Sequence, residues 1–267
     1  MACHQRSIAD TVLADILYDE SKFKTSDLKE DKTVLDSILQ DVEPVEVSEG
    51  IFSVLDESRQ QSGYDGKVLA YGALVGNRFY NKLMWGNWPS TYHRLCKQAL
   101  SKSLDKPVLD VGCGSLVFTA NAYAQSDNQC VVLLDRSQGM LKSARERLKK
   151  LRGPNLDNIA FLQADVFDLP FHDNSFGLVM SAGLLHIFDQ KKDILNELER
   201  VKDNNGVMSL SSVVANKGVG RKYLSLLEKS GQTGKSDTSE SLNTLLRNRP
   251  LDYRLRTRGN IAYIKSR

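Results

Sequence analysis

The sequence predicts an α/β fold in which a mostly parallel sheet is flanked by helices. Two short apolar runs support this, residues 107–111 and residues 131–135, and each contains or ends in an aspartate. Both runs are too short for a buried helix, and the stretch between them is long enough for one crossover helix. A strand, helix, strand unit of this kind pairs its strands in parallel and binds ligands at their carboxyl ends.

A glycine turn follows the first predicted strand. Gly112 and Gly114 come directly after the acid Asp110, and they allow backbone N–H groups to approach a ligand without an intervening Cβ. A carboxylate at this position repels pyrophosphate, so a ligand that carries a cation or an ammonium group is favoured. The alternative is an ordinary glycine turn after a strand.

Two more acids end predicted strands. Asp135 is placed where a ribose diol would lie, since a carboxylate accepts hydrogen bonds from adjacent hydroxyls. Asp165 ends a third apolar run, residues 159–166, and could accept from an adenine amino group. Any one of these acids could be a surface carboxylate at the start of a loop. Three in succession favour a nucleoside-containing ligand.

In this order the motifs resemble those of the class I S-adenosylmethionine-dependent methyltransferases of the small-molecule type. The resemblance covers roughly residues 65–267 and rests on residues 109–114, 134–141, 164–171, 173–179 and 195–201. It implies a Rossmann-like, seven-stranded, mostly parallel sheet flanked by helices. It also implies S-adenosylmethionine as the cofactor and S-adenosylhomocysteine as its product.

The resemblance assigns parts of the cofactor to residues of this chain. The glycines would flank the methionine part, Asp110 would hold its amino end, and Asp135 would take the ribose hydroxyls. Asp165 and the backbone of Val166 would take the adenine. The complete predicted cofactor site is Asp110, Gly112, Cys113, Gly114, Asp135, Arg136, Met140, Asp165, Val166 and Ser181.

One position departs from the family pattern. Leu116 stands where the family usually has a third glycine, and its side chain either crowds the cofactor or packs under the turn. A nicotinamide dehydrogenase is the competing interpretation of a glycine turn. It requires glycine or alanine where this chain has Val117, and it gives Asp110 and Asp165 no role.

Residues that could act on the substrate lie on either side of these motifs. His186 follows the fourth predicted strand, and a neutral imidazole there could accept a proton as the methyl group transfers. The alternative is a structural histidine at a helix start. Tyr80 and Trp85 belong to an aromatic segment that either covers the substrate pocket or is a helix docked on the sheet.

The N-terminal part reads as a helical extension or lid. A polar, glycine-bearing break separates residues 1–62 from a methyltransferase domain at residues 63–267. Apolar positions over residues 7–42 predict two amphipathic helices, and residues 43–49 read as an acidic linker. The helices would pack on the catalytic domain or on a second copy, which would make the protein a homodimer.

Composition narrows the class of partner. A net charge of +3 is too small to imply a nucleic-acid surface, and the four cysteines show no spacing typical of metal ligands. The sequence shows no secretory pattern and no apolar run of membrane length. We therefore expect a cytoplasmic protein with a small-molecule substrate, no metal, and no nucleic-acid or membrane partner.

Two functions follow from these observations. The first is methyl transfer from S-adenosylmethionine to an oxygen, nitrogen or carbon of a small molecule. The second is a non-catalytic regulatory or scaffold protein that keeps the fold and binds the cofactor. The cofactor acids favour the first, whereas Leu116 and the lack of an unambiguous base favour the second.

Overall fold

The computed structural model describes residues 44–60, 77–102, 107–128 and 130–266. In these ranges nine strands form one sheet. They are β1 (Val45–Ser48), β2 (Ile51–Ser53), β3 (Val108–Val111), β4 (Val131–Asp135), β5 (Ile159–Gln163), β6 (Phe176–Ala182), β7 (Lys202–Val213), β8 (Tyr253–Arg258) and β9 (Ile261–Ser266). The helices predicted over residues 7–42 lie outside the described residues.

Eight α-helices connect or flank these strands within the same ranges. They are α1 (Glu57–Gln60), α2 (Arg78–Tyr80), α3 (Pro89–Leu100), α4 (Ala120–Ala124), α5 (Gln138–Arg152), α6 (Lys191–Val201), α7 (Gly218–Lys229) and α8 (Ser239–Arg247). A π-helical turn, Asn81–Trp85, continues α2, and a 3₁₀ turn, Leu185–Ile187, follows β6. None of the helices in the described ranges is both long enough and apolar enough to cross a membrane.

The predicted α/β architecture is confirmed, but the sheet has nine strands rather than seven. Its order is β1-β2-β5-β4-β3-β6-β7-β9-β8. The seven expected strands are β3 to β9, and β1 and β2 extend the sheet beyond β5. Of the nine described strands, β1 and β9 run antiparallel to their neighbours, so the sheet is mostly parallel as predicted.

The extra strands correct the linker prediction for residues 43–49. Valines alternate with polar residues in β1, and this alternation is the pattern of a strand at the edge of a sheet. Gly50 has a positive φ of 63° and its N–H donates to Glu46 Oε1 at 2.7 Å, which closes the hairpin. The predicted boundary after residue 62 stays a prediction.

Helices cover both faces of the sheet and bury it. On one face α6 and α8 pack against a core that includes Leu109 and Val111 of β3. On the other face α3, α4 and α5 pack against a core that includes Val108 of the same strand. Side chains alternate along a strand, so Asp110 points to the face of α3 and α4. A charged residue is thereby placed inside an apolar layer.

Candidate active site

The turn after β3 is shaped by two glycines in the left-handed region. Gly112 has φ of 68°, and a Cβ built on it would lie 2.8 Å from Leu184 Cδ1 in the loop after β6. Gly114 has φ of 58°, and a Cβ there would meet nothing within 4 Å among the described residues. Glycine is therefore required at position 112 by space as well as favoured by the backbone, and at position 114 it is favoured by the backbone alone.

The N–H groups of this turn bond within the protein. Those of Gly112 and Cys113 donate to the carbonyl of Leu134 at 2.8 and 3.0 Å, and that of Gly114 donates to Asp135 Oδ2 at 2.8 Å. These N–H groups are therefore engaged within the protein, and the assignment of Gly112 and Gly114 to the cofactor stays a prediction. Their role is to tie the turn after β3 to the end of β4.

Leu116 packs under the turn. Its side chain is buried at 2% exposure in the core beneath α3 and α4, although its φ of 54° lies in the left-handed region. Of the two outcomes left open by the sequence, crowding of the cofactor and packing below it, the second is the one observed. The position of the family's third glycine is thus taken by a residue with a left-handed backbone and a buried side chain.

Asp110 is a buried carboxyl group with one satisfied oxygen. Its Oδ2 accepts a hydrogen bond from the Tyr123 hydroxyl at 2.6 Å, whereas its buried Oδ1 has no partner among the described residues. Burial raises the pKa of this carboxyl to about 6, the Tyr123 hydrogen bond opposes the rise, and Asp135 adds to it. A cavity of about 40 Å³, lined in part by Asp110, Ser181 and Tyr92, lies beside it. That space suits a water molecule or an ammonium group.

Asp135 is held by two backbone donors. Its Oδ2 accepts from the Gly114 N–H and its Oδ1 from the Ser137 N–H at 2.9 Å. The Ser137 hydroxyl in turn accepts from the Met140 N–H and caps the start of α5. A carboxylate oxygen can accept more than one hydrogen bond, so a carboxylate oriented in this way is compatible with hydroxyl groups of a ligand as further donors.

Asp165 faces two guanidinium groups. Arg59 Nη2 lies 3.0 Å and Arg136 Nη1 3.9 Å from its Oδ2, and its Oδ1 accepts from the Phe167 N–H at 3.2 Å. Val166 next to it is buried. The ion pair with Arg59 was not expected, because this arginine belongs to the segment assigned to the N-terminal extension.

A side-chain amide holds the loop that carries Arg136. Gln163, the last residue of β5, donates from Nε2 to the Arg136 carbonyl at 2.9 Å and to the Gln60 carbonyl at 2.6 Å. Its side chain is fully buried. The loop after β4 and the helix α1 are therefore fixed to the same strand end. Gln163 was not predicted as a site residue, since an amide at a strand end has no sequence signature of its own.

Ser181 and His186 lie at and just after the end of β6. The Ser181 hydroxyl is buried with no partner among the described residues, and so is His186 Nδ1 in the 3₁₀ turn. Burial lowers the pKa of the His186 imidazole to about 4, and the positive charge of Lys191 lowers it further. His186 is therefore neutral at physiological pH and able to accept a hydrogen bond.

Tyr80 and Trp85 form an aromatic cluster with Tyr223 of α7. The ring centroids of Tyr80 and Trp85 are 6.3 Å apart, and Tyr223 lies 6.1 Å and 5.8 Å from them. The cluster packs on Val213, the last residue of β7. The residues predicted as a lid are thus fixed at the carboxyl end of β7, two strands from β3. Tyr223 is not among the site residues predicted from the sequence.

Comparison with known proteins assigns the family. A family model for a methyltransferase domain matches residues 102–246, more than half of the chain. The chain belongs to this methyltransferase family. The resemblance predicted from the motifs is confirmed, and S-adenosylmethionine is the cofactor that goes with it.

The relatives match over part of their length. An uncharacterized chloroplastic methyltransferase of Arabidopsis thaliana is 28% identical over 135 residues, 49% of this chain and 38% of that protein. A demethylmenaquinone methyltransferase of Staphylococcus carnosus is 35% identical over 121 residues, 43% of this chain and 48% of that protein. The match thus spans less than half the length of both relatives.

Solved structures agree on the fold. The crystal structure of a SAM-dependent methyltransferase from Aquifex aeolicus superposes with a TM-score of 0.54 at 15% identity. The superposition covers 74% of this chain and 96% of the other. At this level of identity the likeness shows the methyltransferase fold and nothing finer.

The residues at the sheet edge fit this cofactor. The unpartnered Oδ1 of Asp110 can accept from the ammonium of the methionine part, and the oriented carboxylate of Asp135 can accept from the ribose hydroxyls. At Asp165 an adenine amino group would share the carboxylate with Arg59. The Cys113 thiol contributes no charge, because burial raises its pKa well above the ordinary value.

We expect Asp110→Asn to stabilise the cofactor-free protein at pH 7.5. The folded-state pKa of about 6 lies above the ordinary 3.8, so the folded state binds the proton more tightly, and wild-type stability falls as pH rises between these values. The amide removes this cost, about 1–3 kcal/mol above pH 6, while its oxygen can still accept from Tyr123. Urea unfolding at about pH 4 and pH 7.5 measures the gain. A gain that is the same at both pH values would contradict the explanation.

We expect Asp135→Ala to weaken binding of S-adenosylmethionine and S-adenosylhomocysteine by about 1.5–3 kcal/mol, because buried ribose hydroxyls would lose charged acceptors. Isothermal titration calorimetry measures the change. The exposed acid Asp193 on α6 offers a matched control, Asp193→Ala, which should leave the Kd unchanged. An unaltered Kd in folded Asp135→Ala protein would exclude this carboxylate from the cofactor site.

Proposed function

We propose that this chain transfers the methyl group of S-adenosylmethionine to a carbon or oxygen of a small hydroquinone-type acceptor. Family membership supports methyl transfer, and two features of the site support this kind of acceptor. One is the neutral His186 after β6, and the other is the aromatic cluster at the end of β7. The observation on which the proposal depends most is His186.

A buried, neutral imidazole suits an acceptor that must lose a proton. His186 Nδ1 has no partner among the described residues, so it can accept from a phenolic hydroxyl without displacing another bond. Its pKa of about 4 keeps it unprotonated at pH 7 and also makes it a weak base. Such a base is sufficient where the acceptor is already acidic, as a phenol is relative to an alcohol.

The named relative supports the class of acceptor. The Staphylococcus carnosus protein is described as a demethylmenaquinone methyltransferase, so its acceptor is a quinone derivative. In the present chain the rings of Tyr80, Trp85 and Tyr223 form the aromatic cluster at the carboxyl end of β7. Aromatic side chains bind flat, apolar rings by edge and face contacts.

The proposed methyl transfer uses two acids to hold the cofactor, the aromatic cluster to bind the acceptor and His186 to take a proton. When bound, the cofactor supplies an electrophilic methyl group on a positively charged sulfur. Asp110 and Asp135 would hold it by its ammonium and ribose, and the aromatic cluster would bind the acceptor ring. The acceptor would take the methyl group from the sulfur and give its proton to His186, which would pass it to water.

The second candidate function is a cofactor-binding protein without turnover. The low basicity of His186 is the observation that favours it, because an imidazole with a pKa of about 4 is a weak general base. Such a protein would bind S-adenosylmethionine with the affinity of an enzyme. It would release no S-adenosylhomocysteine, whatever acceptor is supplied.

An acceptor panel distinguishes the two functions. We expect methyl-labelled cofactor to yield labelled product with short-chain hydroquinones, since their ring carbons and hydroxyls are nucleophilic at neutral pH. An aliphatic amine and an alcohol serve as controls and should give none. Mass spectrometry identifies the methylated atom. Cofactor binding without product from any hydroquinone or from a metabolite extract would support the scaffold function.

We expect His186→Ala to lower kcat by about 10²–10⁴-fold, because a proton acceptor acts in the transition state. Cofactor affinity should be nearly unchanged. The gap between variant and wild type should narrow at high pH, where the phenol ionises without help, and wild-type activity should show no rise near pH 6.5, since His186 titrates at about 4. Stopped assays across pH measure this. A loss below about threefold at neutral pH would make His186 structural.

A further inference from the structure

Exposed apolar side chains concentrate on two neighbouring helical elements. Seven large apolar residues are strongly exposed in the part of the chain that the structure describes, and four of them belong to the α2–π turn and to α7. These four are Phe79, Leu83, Val219 and Leu226, exposed by 68, 66, 53 and 61%. Single exposed apolar residues are ordinary, whereas a cluster of them marks a contact surface.

The four residues border one contact between the two elements. Tyr80 lines a surface concavity together with Phe79 and Leu83, and its ring packs against Tyr223. Val219 and Leu226 lie four residues before and three residues after Tyr223, which places all three on one stripe of α7. The two stripes therefore meet at the Tyr80–Tyr223 contact. We call Phe79, Leu83, Val219 and Leu226 the apolar rim.

The charge around the apolar rim is predominantly positive. Residues 77–88 and 216–229 contain one acidic residue, Glu228, and six basic residues: Arg78, Lys82, Lys217, Arg221, Lys222 and Lys229. Lys82 and Lys222 are exposed. The chain as a whole carries only +3, so these two short segments are far more basic than the average of the molecule. Apolar side chains bordered by cations are the chemistry of attachment to an anionic lipid surface.

From this placement we infer that the apolar rim docks peripherally on an anionic lipid bilayer. Phe79, Leu83, Val219 and Leu226 would enter the boundary between headgroups and acyl chains, and the basic residues would contact lipid phosphates. The contact spans no bilayer, and it departs from the sequence expectation of no membrane partner, which considered only spanning segments.

The position of the rim gives this contact a use. Tyr80 and Tyr223 join the rim to Trp85 and to Val213 at the carboxyl end of β7, the same edge of the sheet that carries the candidate active site. An acceptor dissolved in the bilayer would therefore reach the aromatic cluster without crossing water. This link to the acceptor rests on the proposed function, whereas the docking itself does not.

Vesicle co-sedimentation of the full chain tests the docking. The vesicles are phosphatidylcholine alone or phosphatidylcholine mixed with phosphatidylglycerol, and neither contains an acceptor. We expect binding to the mixed vesicles, weakened by salt, and little binding to the neutral ones. The double variant Phe79→Ser with Leu83→Ser should lower the partition coefficient by about tenfold or more, because it removes the apolar contact.

Matched controls lie on α5, at the other end of the sheet. Leu151 is exposed by 49% on a helix whose last turn is also basic, so Leu151→Ser should leave vesicle binding unchanged. Lys222→Glu should weaken binding to the mixed vesicles, and Lys150→Glu on α5 should not. Thermal melts and cofactor titration confirm that each variant is folded. These readouts also separate a failure of docking from a failure of the proposed function.

Three results would overturn the inference. The first is wild-type protein that stays in solution with the mixed vesicles. The second is binding that Leu151→Ser weakens as much as the double variant does. The third is size-exclusion chromatography in which wild type is a dimer and the double variant a monomer, without vesicle binding, since the rim would then contact a second copy.

Discussion

A carboxyl group inside an apolar layer must find its hydrogen-bond partners there, because water no longer supplies them. Asp110 lies between the sheet and helices α3 and α4, and the chain provides one partner, the Tyr123 hydroxyl. The second oxygen is left for a ligand that carries a positive charge. The glycine turn and Asp135 lie directly at the strand ends near Asp110. The cavity under α3 is lined in part by the Asp110 carboxyl group. The cofactor-free fold keeps it at a cost in stability.

The sequence located the acids because their position depends on a local pattern. Asp110, Asp135 and Asp165 each lie in or just after a short apolar strand, and the order of the parallel strands then brings them to one edge. The partners of these acids were not predictable in the same way. Arg59 contacts Asp165 across 106 residues of sequence, and no pattern near either residue indicates the other. Contacts of this kind depend on the three-dimensional packing of the whole chain.

The β1–β2 hairpin was missed for a different reason, which lies in how residues 43–49 were interpreted. The acidic composition of residues 43–49 suggested a linker, while the alternation of valine with polar residues in the same stretch indicated a strand. The two-residue alternation was the better guide than the acidic composition, because a strand at the edge of a sheet has one solvated face that tolerates acidic side chains. At Leu116 the sequence left two outcomes open, crowding of the cofactor and packing under the turn. The structure shows the second, with a left-handed φ and a buried side chain.

The β1–β2 hairpin also decides how β5 meets its surroundings. β2 pairs with β5 in parallel over Ile51 to Ser53, so the apolar strand β5 has neighbours on both sides. Without the hairpin, the free N–H and carbonyl groups along β5 would form an open edge that templates pairing between molecules. Residues that precede the family match at 102–246 thus cover part of the β5 edge and make the four-residue strand β1 the outer strand on that side of the sheet. For a chain that begins after the hairpin, self-association rather than loss of chemistry would be the first defect to appear.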